Sequence, residues 1–98
     1  MDAKRRTMLE EAAGRGKYAP LYRFLKTQDR NEIPASFAEI EFVLGFELPD
    51  SARIHRPWWA NQGENGGHSH ALSWQMAGWK TLQVDLAEEK LVFVRQRS

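Results

Sequence analysis

The segment 55–70, H-R-P-W-W-A-N-Q-G-E-N-G-G-H-S-H, holds the residues best suited to chemistry or recognition: three histidines, two adjacent tryptophans and several amides among three glycines. Arg53, His55 and Arg56 lie just before the tryptophans. An outward-facing Trp58 or Trp59 gives a base a ring to stack on, and the arginines suit phosphates. Asn61 and Gln62 have the side-chain amides that read an adenine edge bidentately. The same residues have a structural reading. Tryptophans roof small cores, and an asparagine caps loop backbone. His55, His68 and His70 include an H-x-H ligand spacing. Without cysteine, and with Glu64 as the one nearby acid, no metal site is expected. His70, near a helix start, is instead suited to donate to a phosphate.

Catalysis finds little support. Glu39 and Glu41 fall on different faces of one helix and form no acid/base pair. Glu64 and His68 could share a proton but have no dry pocket around them. No nucleophile triad, phosphate loop or zinc motif is present. The expectation is a binding protein with no cofactor.

The elements that position these residues follow from periodicity. Thr7 and Glu10 fit a capping box for a short helix to about Gly14. Pro20 opens a second helix with Leu21, Phe24 and Leu25 on its apolar stripe, ending near Thr27–Arg30. Ile33-Pro34-Ala35 suits a brief edge strand. Ser36 and Glu39 form a cleaner capping box for a helix with Phe37, Ile40, Val43 and Leu44 inward, closed at Gly45. L-P-D-S-A-R-I predicts one helical turn capped by Asp50 or Ser51. Loops as long as 55–70 are usually functional or mobile. Ser69 then caps a helix over Ala71–Ala77, and Gly78 closes it. T-L-Q-V-D-L alternates with Leu82, Val84 and Leu86 inward, and L-V-F-V-R with Leu91 and Phe93 inward. A-E-E-K is the hairpin turn between them.

Helix, short strand, helix, helix, strand, strand is the order of a winged-helix domain. The expected fold is therefore α+β and winged-helix-like, three helices with a small antiparallel sheet made of the short strand and the C-terminal hairpin. Residues 1–16 form a basic arm or short helix, and 17–98 the single domain. In that frame the third helix is the recognition helix, with Ser73 and Gln75 as base readers and Lys80 at its exit. It is poor in lysine and arginine for that task. Trp74 and Trp79 belong to the core or the wing packing.

Ninety-eight residues suit one domain, and zero cysteines exclude disulfides and thiol chemistry. No apolar run approaches the roughly 20 residues of a membrane span. The basic start lacks the apolar run of a secretory signal, so a soluble cytoplasmic protein with no membrane partner is expected. The net charge is +1, but its distribution is uneven. Residues 1–30 carry +4 and residues 31–50 carry −5. Lys4, Arg5, Arg6, Arg15 and Lys17 make a candidate phosphate-contacting arm, or a solubilising one.

The motifs F-A-E-I-E (37–41), L-P-D-S-A-R (48–53), W-W-A-N (58–61), Trp74 and A-G-W (77–79), with K-Y-A-P-L-Y (17–22) and the final V-F-V-R, resemble a small prokaryotic domain family of unknown function over about residues 16–95. Some members of that family look like appendages to nuclease or regulatory proteins, so the resemblance implies a nucleic-acid context. The functional expectation is a DNA-binding module or small transcription regulator. Its contacts would be Arg5, Arg6, Arg15, Lys17, Arg53, His55, Arg56, Trp58, Trp59, Asn61, Gln62, His70, Ser73, Gln75 and Lys80. The alternative is a protein-interaction module that docks a partner or a second copy through exposed tryptophans and the acidic 31–50 block.

Overall fold

Ser36 ends one element and starts the next. In a computed structural model that describes residues 3–61 and 69–96 (the side chain of Ser69 excepted), its Oγ accepts from the Glu39 N–H at 3.0 Å. Glu39 Oε1 in turn accepts from the Ser36 N–H at 2.8 Å. This reciprocal capping box lets strand β1 (Glu32–Ser36) run without a loop into helix α3 (Phe37–Leu44). Gly45, at φ +86°, closes α3 in the left-handed conformation that a side chain disfavours.

Around that junction lie α1 (Ala3–Arg15), α2 (Ala19–Lys26), α4 (Asp50–Ile54), a 3₁₀ turn (Arg56–Trp59), α5 (Ser69–Gln75), β2 (Trp79–Asp85) and β3 (Lys90–Arg95). The fold is α+β, with helices on one face of a three-stranded antiparallel sheet of order β1-β3-β2. Ile33, Phe93 and Thr81 align across the sheet and are buried, as is Leu91. The next row, Pro34–Val92–Leu82, lies on the opposite face. The core is aromatic: Phe37, Trp59, Trp74, Trp79 and Phe93 are all buried with Leu25 and Leu91. Among the described residues no helix is long and apolar enough to cross a membrane.

Several expectations need correcting. α1 starts at Ala3 rather than near Thr7, because Thr7 Oγ1 donates back to the Ala3 carbonyl at 2.9 Å instead of capping. It is a packed helix, with Ala13 and Leu9 against Tyr22, Leu72 and Met76. On α2, Leu21, Tyr22 and Leu25 are buried, whereas Phe24 is exposed. Pro49, not Asp50 or Ser51, stands at the cap position of α4, with no side-chain hydrogen bond. α5 starts two residues before Ala71. The hairpin turn is Leu86–Glu89, held by Asp85 Oδ1 accepting from the Glu88 N–H at 3.0 Å.

The largest correction is in β2. Trp79 and Thr81 point inward and Leu82 is 42% exposed, although Val84 and Leu86 pack on the core as expected. A register irregularity between Leu82 and Asp85, with Gln83 at φ +52°, accounts for both facts. One extra residue in a strand switches which parity faces the core.

Candidate functional site

The site begins where α4 hands over to the 3₁₀ turn. The Trp58 N–H donates to the His55 carbonyl and the Ala60 N–H to the Pro57 carbonyl, both at 3.0 Å. So tight a turn sends neighbouring side chains in different directions. Trp59 is 1% exposed, stacks between Phe37 (5.0 Å) and Trp74 (5.8 Å), and donates its indole N–H to the Ala52 carbonyl at 2.7 Å. Trp58 lies at 73° to it and is only half-buried. Its ring stacks on His70 at 3.9 Å and 3°, and His70 Nε2 lies 2.8 Å from the Trp58 carbonyl oxygen. Tyr18 meets both rings edge-on, and burial pushes its phenol above the ordinary value.

Asn61 follows and closes the free edge of β2. Its Oδ1 accepts from the Trp74 indole N–H (2.9 Å) and the Thr81 N–H (3.0 Å), with Thr81 Oγ1 3.2 Å away. Its Nδ2 donates to the Thr81 carbonyl at 3.1 Å. One side chain thus takes the place of a neighbouring strand, since an unpaired edge donor and acceptor need partners. The Thr81 hydroxyl donates its proton to the Trp59 carbonyl at 2.6 Å, and Arg56 Nη1 donates to the Val84 carbonyl.

Between the turn, α5 and β2 lies an open cleft of about 610 Å³, with Arg56, Trp58, His70, Leu82 and Gln83 among its lining residues. Polar groups here are unequally committed. The indole N–H groups of Trp59, Trp74 and Trp79 donate to Ala52, Asn61 and Leu25. Among the described residues, that of Trp58 has no acceptor, and the Gln83 amide has no partner. A non-glycine residue at φ +52°, as Gln83 is, is uncommon and is held there by its surroundings.

Of the fifteen residues singled out from sequence, the cleft gathers Arg56, Trp58, Trp59, Asn61 and His70. Trp59 and Asn61 are corrections. The first is a core residue, and the second spends its amide on Thr81 and Trp74 rather than facing a ligand. Ser73 is a third correction, fully buried with its Oγ donating to the His70 carbonyl at 2.5 Å. Gln75 is half-buried and donates to the Asn61 carbonyl at 2.8 Å. Both residues sit on a helix enclosed on several sides, since Ala71, Leu72, Trp74 and Met76 around it are buried as well.

Arg53 faces away from the cleft. It pairs with Glu41 at 3.1 Å and Glu89 at 3.0 Å, tying α3, α4 and the hairpin turn together over the Phe37 ring. The Arg53 hydrogen bond, with the Leu48 N–H donating at 2.7 Å, holds the Glu41 carboxyl below the ordinary carboxylate range. His55 is exposed at the start of the turn, and Lys80 lies on β2 two residues before Leu82. Arg6 pairs with Glu10 at 3.2 Å, Arg15 with Glu11 at 3.9 Å, and Lys17 lies 4.7 Å over the Phe46 ring. Arg5 is exposed on α1. Gln62, with Glu64 and His68, lies outside the described residues.

Tyr18, Thr81 and Gln83 were missed in the sequence reading. Nothing local marks Gln83. Thr81 carries no signal either, because the expected alternation puts Leu82 inward and Thr81 outward, the reverse of what the strand adopts.

A protein-family profile described as "Domain of unknown function (DUF7662)" matches residues 18–97. The chain belongs to this family. The DUF7662 match takes in Tyr18, the whole cleft and all three strands, and leaves α1 before it. No curated protein and no solved structure matches the chain.

Proposed function

We propose that this chain is a nucleic-acid-binding module with no chemistry of its own, and that its contact surface is the Arg56–Trp58 cleft assisted by the basic α1–α2 side. The element order and the sheet order β1-β3-β2 support a winged-helix-like reading, and such domains serve mainly as nucleic-acid binders. The usual contact elements are poorly equipped here. α5 is enclosed, and the hairpin turn carries Glu88 and Glu89 beside Asp85, which repel phosphate. Positive charge lies elsewhere. Lys4, Arg5, Arg6 and Arg15 on α1 and Arg23 and Lys26 on α2 outnumber Glu10 and Glu11, whereas α3 carries only acids.

The observation that carries the reading is the cleft itself. It combines a Trp58–His70 aromatic stack, an indole N–H without an acceptor among the described residues and an exposed arginine at its margin. Aromatic rings with flanking arginine favour bases and phosphates. Fluorescence anisotropy with a labelled oligonucleotide tests it. Binding is expected at low salt and should weaken by about tenfold or more between 50 and 200 mM salt, as counterion release by several cations requires. Arg56→Ala should weaken it further. No binding at low salt refutes the proposal.

A protein-interaction role has a specific observation in its favour: Phe42 is 89% exposed on α3 and Ile54 65% exposed at the end of α4. Binding through such residues would be little affected by salt.

A further inference from the structure

We infer that the cleft receives one unpaired nucleobase, so the chain prefers single-stranded to double-stranded nucleic acid; this rests on the nucleic-acid reading of the same cleft. Reading of a duplex by a helix needs an exposed helix face for the major groove. α5, the helix that follows the turn and precedes the hairpin, has Leu72, Ser73, Trp74 and Met76 buried, and its Gln75 amide is tied to the Asn61 carbonyl. The cleft offers a different geometry. Its volume of about 610 Å³ lies within the range of small-molecule sites and suits an inserted ring better than a helix-groove contact.

Its groups match the parts of a nucleotide. Trp58 and His70 are stacked face to face at 3.9 Å, so a base would extend the stack on an outer ring face, and Leu82 adds apolar surface. The Trp58 indole N–H is a donor without an acceptor among the described residues. The Gln83 amide is likewise unpartnered, and an amide donates and accepts as a base edge requires. Gln83 is brought to the cleft by the irregular stretch of β2 that places it at φ +52°. Arg56, exposed and using Nη1 on the Val84 carbonyl, keeps further N–H groups for an adjoining phosphate. Bases recognised this way must be unstacked, which single strands allow at least cost.

The test compares the full chain binding three labelled ligands of equal length: a mixed-sequence single strand, its duplex, and a single strand of abasic residues. The expected result is binding to the intact strand at least tenfold tighter than to the duplex or to the abasic strand, from the loss of stacking. Quenching of tryptophan fluorescence should accompany the intact strand and not the abasic one. Trp58→Phe should narrow the difference between intact and abasic strands. Should that variant fold poorly, Gln83→Ala provides the second comparison, because its amide has no partner among the described residues. Equal affinity for intact and abasic strands overturns the inference and leaves the nucleic-acid reading standing. Binding to none of the three at low salt overturns both.

Discussion

Replacing Asn61 by alanine separates a structural role from a ligand-facing one. The change removes the acceptor of the Trp74 indole N–H, whose side chain is buried, and both partners of the Thr81 backbone on the edge of β2. An orphaned buried donor costs about 1–3 kcal/mol, and each edge bond that water can replace about 0.5–1.5 kcal/mol. Asn61 is itself open to solvent on one side, so water will recover part of the loss. A net destabilisation of about 2–4 kcal/mol follows. For a domain of this size that lowers the melting temperature by roughly 10–25 °C. Thermal and urea unfolding followed by circular dichroism measure it. Asn61→Asp should fall between wild type and alanine, because a carboxylate keeps the Trp74 and Thr81 N–H acceptor but opposes the Thr81 carbonyl. A loss below about 0.5 kcal/mol for Asn61→Ala, the range of an unremarkable surface change, would refute the structural assignment and restore Asn61 as a ligand contact.

Three further outcomes are expected. The Glu41 carboxyl titrates below its unfolded value of about 4.3, so its contribution is complete above that pH and is lost as pH falls through the folded value. Glu41→Gln should therefore lower stability by about 1–2 kcal/mol at neutral pH and flatten the acid side of a urea-midpoint profile. Ser36→Ala removes one half of the capping box and should lower stability by about 1 kcal/mol with an unchanged urea slope. Gly45→Ala meets no atom within 4 Å, so its cost of about 1 kcal/mol, read from the same urea midpoints, is purely the left-handed backbone at φ +86°.

What could be read from the sequence was largely local. The Ser36–Glu39 box and the Gly45 cap need only neighbouring residues, and both form. Leu91 and Phe93 face the core because β3 pairs with β1 in unbroken register and the extra residue lies in β2, not in β3. Leu82 broke the pattern because the irregularity after it is set by the edge of the sheet and leaves no mark in T-L-Q-V-D-L. The division between Trp58 and Trp59 depends on a 3₁₀ turn whose consequence is decided by Phe37 and His70, both more than ten residues away. Asn61 was legible as a polar residue of interest but not as a clamp, since its partner Thr81 is 20 positions on. The enclosure of α5 has no sign in the sequence, where residues 1–16 read only as a basic arm or short helix, whereas α1 packs on Leu72 and Met76. With that enclosure the candidate surface moves from Ser73 and Gln75 to Arg56, Trp58 and Gln83.

The most direct test of the cleft as the contact surface is an amide and indole NMR titration with a single-stranded oligonucleotide at low salt. The four tryptophan indole N–H signals report separately, three from internally bonded donors and one from Trp58. The prediction is that the Trp58 indole and the backbone amides of Arg56 and Gln83 shift most, with those of Trp59, Trp74 and Trp79 nearly still. Shifts centred on Phe42 and Ile54, or none at all, would contradict it.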